Sequence, residues 1–482
     1  MIADILHLNR NYLKGEKVIM EKFAEIISQI DGIVWGIPMI VILFGTHLFM
    51  TFRTGIIQKH LIKGIKLSIA KDDDSEGEIS QFGALTTALA ATIGTGNIVG
   101  VATAVISGGP GAVLWMWLIG VFGMATKYSE TLMSVKYRVQ SKDGRMLGGA
   151  MYALERGLGQ KWLGVIFAIF AALAAFGIGC MTQSNSIASA CSANLGLPTW
   201  ITGILVAALV AIVIIGGVKS ISKVCEKLVP FMAIFYVLGC LIILIMNYRY
   251  IIPALALIIK SAFSVQAGFG GVAGFAVSEA IRFGCARGLF SNESGLGSAP
   301  LVAAAAKTKN PVRQSLISMT GTFWDTVVIC LMTGLTLVSS VLANPEVAAS
   351  LEEGNSVLTF EVFAQIPVIG RPLITIALAL FAFSTILGWS YYGERAAEYL
   401  VGPGVMKIYK LLFVVLAFVG TVASLDVVWN IADILNGLMV IPNVIGILLL
   451  SGVIVAEGKK YLNDLDALSP DPVPVVKTKN DK

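Results

Sequence analysis

The stretch ATIGTGNIVG, residues 91–100, decides how this chain is read. It lies inside a run with no charged residue from Gln81 to Thr126. A bilayer crossing takes about 20 mostly apolar residues, so the run has the length of two spans. Gly94 and Gly96 sit in the middle of the first, beside Thr95 and Asn97. Glycine weakens a helix. Peptide groups freed inside lipid find no water, so an unwound turn persists only where it lines a cavity or grips a ligand. The stretch therefore predicts a membrane helix broken on purpose.

The rest of the composition agrees. The 482 residues are 56% hydrophobic and 13% charged, with a mean hydropathy of +0.81. Soluble domains carry about 25% charge. The chain reads as an all-α, polytopic membrane protein. Eleven spans are expected. An extracytoplasmic extension, 1–31, precedes a leading span at 32–52. Ten core spans follow, divided into a first repeat over 81–248 and a second over 262–456, with a tail at 457–482. Gly196-Leu197-Pro198 and Gly108-Gly109-Pro110-Gly111 divide the longest apolar runs. Lysine and arginine gather in every second loop. The rule that cytoplasmic loops are basic then puts the N-terminus outside and the tail inside the cell membrane. Arg282 and Arg287 are counted in a cytoplasmic loop after core span 6 in this scheme.

Several classes are excluded. No dense basic face with interleaved aromatics suggests nucleic acid. There is no G-x-S-x-G, no phosphate-binding Gly-Lys-Ser/Thr and no H-E-x-x-H, so nothing supports an enzyme or a bound cofactor. The six cysteines form no C-x-x-C pair and read as packed thiols. No obligate protein partner is evident.

Core span 6, at about 262–281, carries a second glycine cluster, Gly268-Phe269-Gly270-Gly271-Val272-Ala273-Gly274. Five steps separate the two clustered spans, so the two halves have opposite orientation. That is the pattern of an inverted-repeat transporter with one discontinuous helix per half. The competing reading is close helix packing through small residues. A broken helix offers N–H donors at one new end, suited to a carboxylate. At the other it offers carbonyl oxygens, suited to sodium or an ammonium group. A zwitterion travelling with sodium uses both. In core span 8, at about 372–393, Ser384 and Thr385 adjoin in an apolar helix and are candidates to complete an ion's oxygen shell, with Trp389 one turn on as a pocket wall. Hydroxyls in such helices also bond back to their own carbonyls. Asp325, at mid-span in core span 7, costs about 2.5–3.5 kcal/mol to insert and is expected to hold an ion, a proton or an interhelical hydrogen bond.

Two further stretches, GGPGAVLWMWLIGVFGMATKYSE (108–130) and ARGLFSNESGLGSAP (286–300), resemble signatures of the alanine or glycine:cation symporters, sodium-coupled carriers with the five-plus-five fold of the leucine transporter. The resemblance covers about residues 30–456. It implies a substrate site at Gly94, Thr95, Gly96 and Asn97, joined by backbone of Gly270, Gly271 and Gly274. It implies sodium held by backbone oxygens of Ala90, Ile93 and Phe381 with the hydroxyls of Ser384 and Thr385. Phe176 and Gln183 of core span 3, with Trp389, are expected as side-chain walls. The signature 286–300 itself is expected to shape a gate or loop rather than bind substrate. Sodium-coupled symport of a small neutral amino acid follows. The rivals are a proton-coupled carrier with Asp325 as its titrating group, and an amino-acid receptor or channel that does not transport.

Overall fold

The computed structural model describes residues 22–70, 75–263, 277–352, 354–423, 426–470 and 472–476. Its principal helices are α1 (Lys22–Arg53), α2 (Gln81–Thr92), α3 (Gly96–Gly108), α4 (Ala112–Lys136), α5 (Lys161–Leu195), α6 (Thr199–Ile215) and α7 (Gly217–Met246). Then come α8 (Tyr248–Phe263), α9 (Val277–Asn292), α10 (Pro311–Ala343), α11 (Gly370–Val401), α12 (Met406–Val422), α13 (Asp426–Leu449) and α14 (Ser451–Tyr461).

Seven of these are long and apolar enough to cross a membrane, and the bent pair α2–α3 makes an eighth. The expected total of eleven also relied on α4, α6 and the region around 264–276. α6 is apolar but has only 17 residues, and α4 carries Lys127, Glu130 and Lys136 in its second half. The leading helix is already formed at Lys22, ahead of the expected start near residue 32, and runs on to Arg53.

The helices sort into an inner set and a lipid-facing set. α2 and α11 are buried on nearly every face. α6 turns Ile204, Leu205, Leu209 and Ile212 outward, and α12 turns out Ile408, Leu411 and Leu412. That is the expected layout when lipid, not water, covers the rim. α2 and α11 touch because Gly388 has no side chain: a Cβ there would stand 2.6 Å from the Ala91 Cβ. α13 and α1 approach in the same way, since a Cβ on Gly437 would meet Val34 at 2.5 Å.

One face is closed by a small sheet. β1 (Val139–Ser141) pairs antiparallel with β2 (Met146–Leu147), and β3 (Val475–Val476) from the tail adds parallel to β1. The tail is fastened elsewhere too. Asn310 Nδ2 donates to the carbonyls of Leu465 and Ala467, both at 2.9 Å, and Arg313 pairs with Asp466 at 2.7 Å. Arg138 is buried beneath this sheet. Its guanidinium donates to the carbonyls of Ala304 (3.1 Å), Ala306 (2.9 Å) and Glu76 (3.2 Å). Glu398 joins Arg145 of the hairpin to Arg395 of α11, each at 2.5 Å.

Arg138→Ala would strand three carbonyls that the guanidinium now serves. It is expected to destabilise the protein by about 1–3 kcal/mol, read as a lower midpoint of thermal unfolding in detergent; an unchanged midpoint would contradict this role.

Candidate functional site

α2 ends at Ile93, whose backbone turns extended (φ −75°, ψ 92°), and the chain restarts as a wide helical turn over Gly96–Gly100 that leads into the rest of α3. The two pieces meet at 54°. The gap is stitched by a side chain. Asn97 Oδ1 accepts from the Gly94 N–H at 2.9 Å, while Asn97 Nδ2 donates to Asp325 Oδ1 at 2.8 Å and Ser291 Oγ at 3.0 Å. Asn97 was expected to hold substrate or an ion. It instead faces α10 and splints the break, because the freed Gly94 N–H needs an acceptor that lipid cannot supply.

Asp325 is fully buried. Its Oδ2 accepts from Ser291 Oγ (2.9 Å) and Thr326 Oγ1 (2.6 Å), so both oxygens are engaged. It therefore ties α3, α9 and α10 together.

On the opposite side of the break, α11 presents its two hydroxyls. Ser384 Oγ lies 3.1 Å from Ala90 O, 3.4 Å from Ile93 O and 2.8 Å from Phe381 O. Thr385 Oγ1 lies 3.5 Å from Ile93 O and 3.1 Å from Phe381 O. All five oxygens expected around sodium thus converge. Two hydroxyl hydrogens cannot serve five such contacts, so the group is rich in acceptors. Oxygens held at about 2.3–2.6 Å from a hard cation stand roughly 3.2–3.7 Å apart when they meet at right angles. The observed spacings lie at or slightly below that range, so the five oxygens need only slight expansion to surround a hard cation.

Thr385 also lines a small chamber, of about 20 Å³, between the break and α11. Gly94, Thr95 and Gly96 form one wall, with Gln183, Trp389 and Phe290 around them. Gln183 Oε1 is buried without a hydrogen-bond partner among the described residues, the state expected of a group awaiting a donor. A wide turn at Gly177–Met181 within α5 makes room for Trp389, because a Cβ on Gly179 would stand 2.2 Å from the Trp389 Cβ. The same turn explains one misplaced wall. Phe176 precedes it, so its ring points away from the chamber and stacks on Tyr409 with centroids 4.5 Å apart.

The expected break in core span 6, over 268–274, lies outside the described residues, and a further opening of the chain follows it. Gly270, Gly271 and Gly274 lie outside the described residues. Helix α9 continues to Asn292, past the expected end at 281, and the chain then opens at 293–299 before the short helix Pro300–Ala303. Glu293, Gly295 and Gly297 all have positive φ (55°, 91° and 80°). Here the signature 286–300, expected to shape a gate or loop, lines the chamber through Phe290, Ser291 and Glu293. Trp389 Nε1 donates to Glu293 Oε1 at 2.9 Å. Beneath it, Lys127 donates to the Glu293 carbonyl at 3.1 Å and pairs with Glu130 at 3.0 Å. Glu130 Oε2 accepts from the N–H groups of Gly295 (3.1 Å) and Gly297 (3.2 Å) and from Asn443 (3.0 Å). A buried ion pair is thus built to hold the unwound backbone. An acid beside two glycines, read with the intramembrane Lys127, was the signal available in the sequence. Arg282 and Arg287 consequently belong to α9 itself and not to a loop beyond it.

A larger cleft, of about 510 Å³, lies at the tail sheet among Glu76, Arg138, Lys309 and Pro474. It is remote from the break and from the opening and is a surface feature of that face.

A Cβ on Gly94 would stand 2.5 Å from Thr385 Oγ1. Gly94→Ala is therefore expected to displace a cage oxygen and weaken sodium-dependent amino-acid binding by about tenfold or more; a sodium titration identical to wild type would refute the shared wall.

The model of the sodium:alanine symporter family matches residues 20–473. The chain is 52% identical over 447 residues to the sodium/alanine symporter AgcS of Methanococcus maripaludis, covering 91% of this chain and 97% of that protein. Among solved structures it resembles a substrate-bound, outward-open Na+-coupled sialic acid symporter (TM-score 0.54, 16% identity, 88% and 86% covered). It also resembles MhsT in complex with L-phenylalanine (TM-score 0.58, 14% identity, 82% and 94% covered). With these two it shares the fold. With a match over nearly its full length, the chain belongs to the sodium:alanine symporter family.

Proposed function

We propose that the chain carries a small neutral amino acid, alanine or glycine, together with sodium, by exposing one central site alternately to each side of the cell membrane. The observation that carries this reading is the five-oxygen cage joining Ala90 and Ile93 of the α2 end to Phe381, Ser384 and Thr385 of α11. Thr385 belongs to both cage and chamber, so a cation drawing the cage together also sets the wall against which substrate packs.

The chemistry of the chamber suits a zwitterion. The restarted helix offers backbone N–H groups at Thr95 and Gly96 and a partial positive charge to a carboxylate. The α2 end and the Glu293 carboxylate offer acceptors to an ammonium group. Trp389, Phe290 and Ile178 close the chamber to about 20 Å³, a tightness that favours the smallest side chains once they part. The basic loops on the tail side support a cytoplasmic tail and an outside start for α1. In the rival proton-coupled reading Asp325 titrates during transport. Three donors from α3, α9 and its own helix already occupy its carboxylate, which favours a tie between helices.

The energetics suffice. One sodium crossing about 100 mV releases about 2.3 kcal/mol, and a tenfold gradient adds about 1.4 kcal/mol. Together they support several-hundred-fold accumulation of a neutral solute at one-to-one coupling.

Uptake of labelled alanine into proteoliposomes should require an inward sodium gradient and should persist when the pH gradient is collapsed. Uptake driven by a pH gradient in sodium-free buffer would overturn the ion assignment. Ser384→Ala combined with Thr385→Ala should raise the sodium concentration for half-maximal uptake by about tenfold or more, with little effect at saturating alanine on protein that remains folded. Glu293→Gln keeps an acceptor for Trp389 but removes charge, and should raise the KM for alanine more than it lowers the maximal rate.

A further inference from the structure

A short connector runs from Ala304 to the start of α10 at Pro311. The entry of α2 lies against it. The N–H groups of Glu78 and Ile79 donate to the Ala305 carbonyl at 2.8 and 3.2 Å, and the Lys307 N–H donates to the Ile79 carbonyl at 2.9 Å. Arg138 adds its bonds to the carbonyls of Glu76, Ala304 and Ala306. Two residues further on, the connector meets the tail. The Ser469 N–H donates to the Lys309 carbonyl at 2.9 Å, Lys309 pairs with Asp466 at 3.2 Å, and Asn310 and Arg313 grip residues 465–467. Arg313 also reaches Gln81, the first residue of α2, at 3.4 Å. One piece of backbone is thus bound to α2 at one end and to the tail at the other.

The tail is anchored at both of its ends. α14 leads into it, and Lys136 of α4 pairs with Glu457 of α14 at 2.6 Å. At the far end the Gln140 N–H donates to the Pro474 carbonyl at 2.9 Å, and β3 lies along β1. The stretch between is held lightly. Among the described residues of 462–475, only Leu465 is buried. β3 pairs through two residues, and the Asp466 side chain is 72% exposed, so solvent screens its ion pairs. An element held in this way lies at the low-stability end of a fold and can detach while the rest stays intact. The far end of α2 carries Ala90 and Ile93 of the oxygen cage, and the 54° break lets α2 turn without α3. Opening the cage toward the tail side means parting α2 from α11. That motion either tears Glu78 and Ile79 from the connector or carries the connector with them.

We propose that the tail after α14 is an inhibitory strap. While bound, it fixes the connector and, through it, the entry of α2, so the central site cannot open toward the tail side. Its release from β1 and the connector precedes discharge of substrate and sodium on that side and sets the turnover rate. Among the described residues the tail touches neither the cage nor the chamber, so it governs rate and leaves affinity alone. The inference rests on the proposed alternating access with a cytoplasmic tail.

The test uses the full-length protein carrying Gln140→Cys and Val475→Cys, two positions whose Cα atoms are partners in the β1–β3 register. Five of the six native cysteines are buried, so oxidation acts on the engineered pair. The new disulfide ties the strap down at β3 while α14 holds its other end, and the segment between cannot leave the connector. Sodium-driven uptake of labelled alanine into proteoliposomes should fall below about a tenth of the reduced protein's rate and return with dithiothreitol. Equilibrium binding of labelled alanine in sodium should stay unchanged. Asp466→Ala releases Arg313 and Lys309 from the tail and should raise the maximal uptake rate about twofold or more, at an unchanged sodium concentration for half-maximal uptake. Oxidised protein that transports as fast as its reduced form overturns the strap and spares the proposed function. A maximal rate in Asp466→Ala at or below that of wild type does the same. Loss of alanine binding on oxidation also overturns the strap, because the tail would then act on the site itself. Wild-type protein that binds alanine but carries none overturns the proposed function and the strap with it.

Discussion

A peptide group in the interior of a membrane must have a partner, and each unmet N–H or C=O costs several kcal/mol. The centre of this molecule is arranged around that constraint. At the first break, Asn97 answers Gly94 and is itself held by Asp325 and Ser291. At the opening after α9, Glu130 answers Gly295 and Gly297 and is held by Lys127 and Asn443. Each is thus stabilised by polar side chains from a neighbouring helix. The carbonyls of Ala90 and Ile93 remain, and these face the hydroxyls of α11. What the fold leaves over after satisfying its own backbone is the set of acceptors that the proposed cation takes.

Close approach makes the arrangement possible. Gly388 lets α11 lie against α2, and Gly179 lets Trp389 lie against α5. A methyl group at either position would separate the elements that carry the cage from those that carry the chamber. The packing and the binding chemistry therefore depend on the same few positions, and the inner helices tolerate little change in volume.

Much of the first break could be read directly. A glycine pair, a threonine and an asparagine in an uncharged run announce an unwound helix, and the resemblance at 381–389 pointed to the oxygens that converge on it. The opening after α9 was not anticipated, because glycine density marks only part of what unwinds a helix. The chain opens at 293–299, where only two glycines are accompanied by Glu293 and supported by a lysine and a glutamate far away in sequence. The sequence places these partners 165 residues or more apart, and only the fold brings them together. Phe176 failed for a local reason. One wide turn of helix shifts the face that follows it, which a uniform 3.6-residue period does not anticipate. Arg282 and Arg287 were misassigned with the end of α9, since a charge rule for loops presumes that the loop is known.

The strand from the tail has a consequence for the order of assembly. β3 is made after every membrane helix of the chain, yet it completes a sheet whose first two strands lie between α4 and α5. Those strands must wait with one edge open through most of synthesis. Closure of that side therefore waits until the membrane helices have been made, and a chain without β3 would leave that edge of the sheet unlatched.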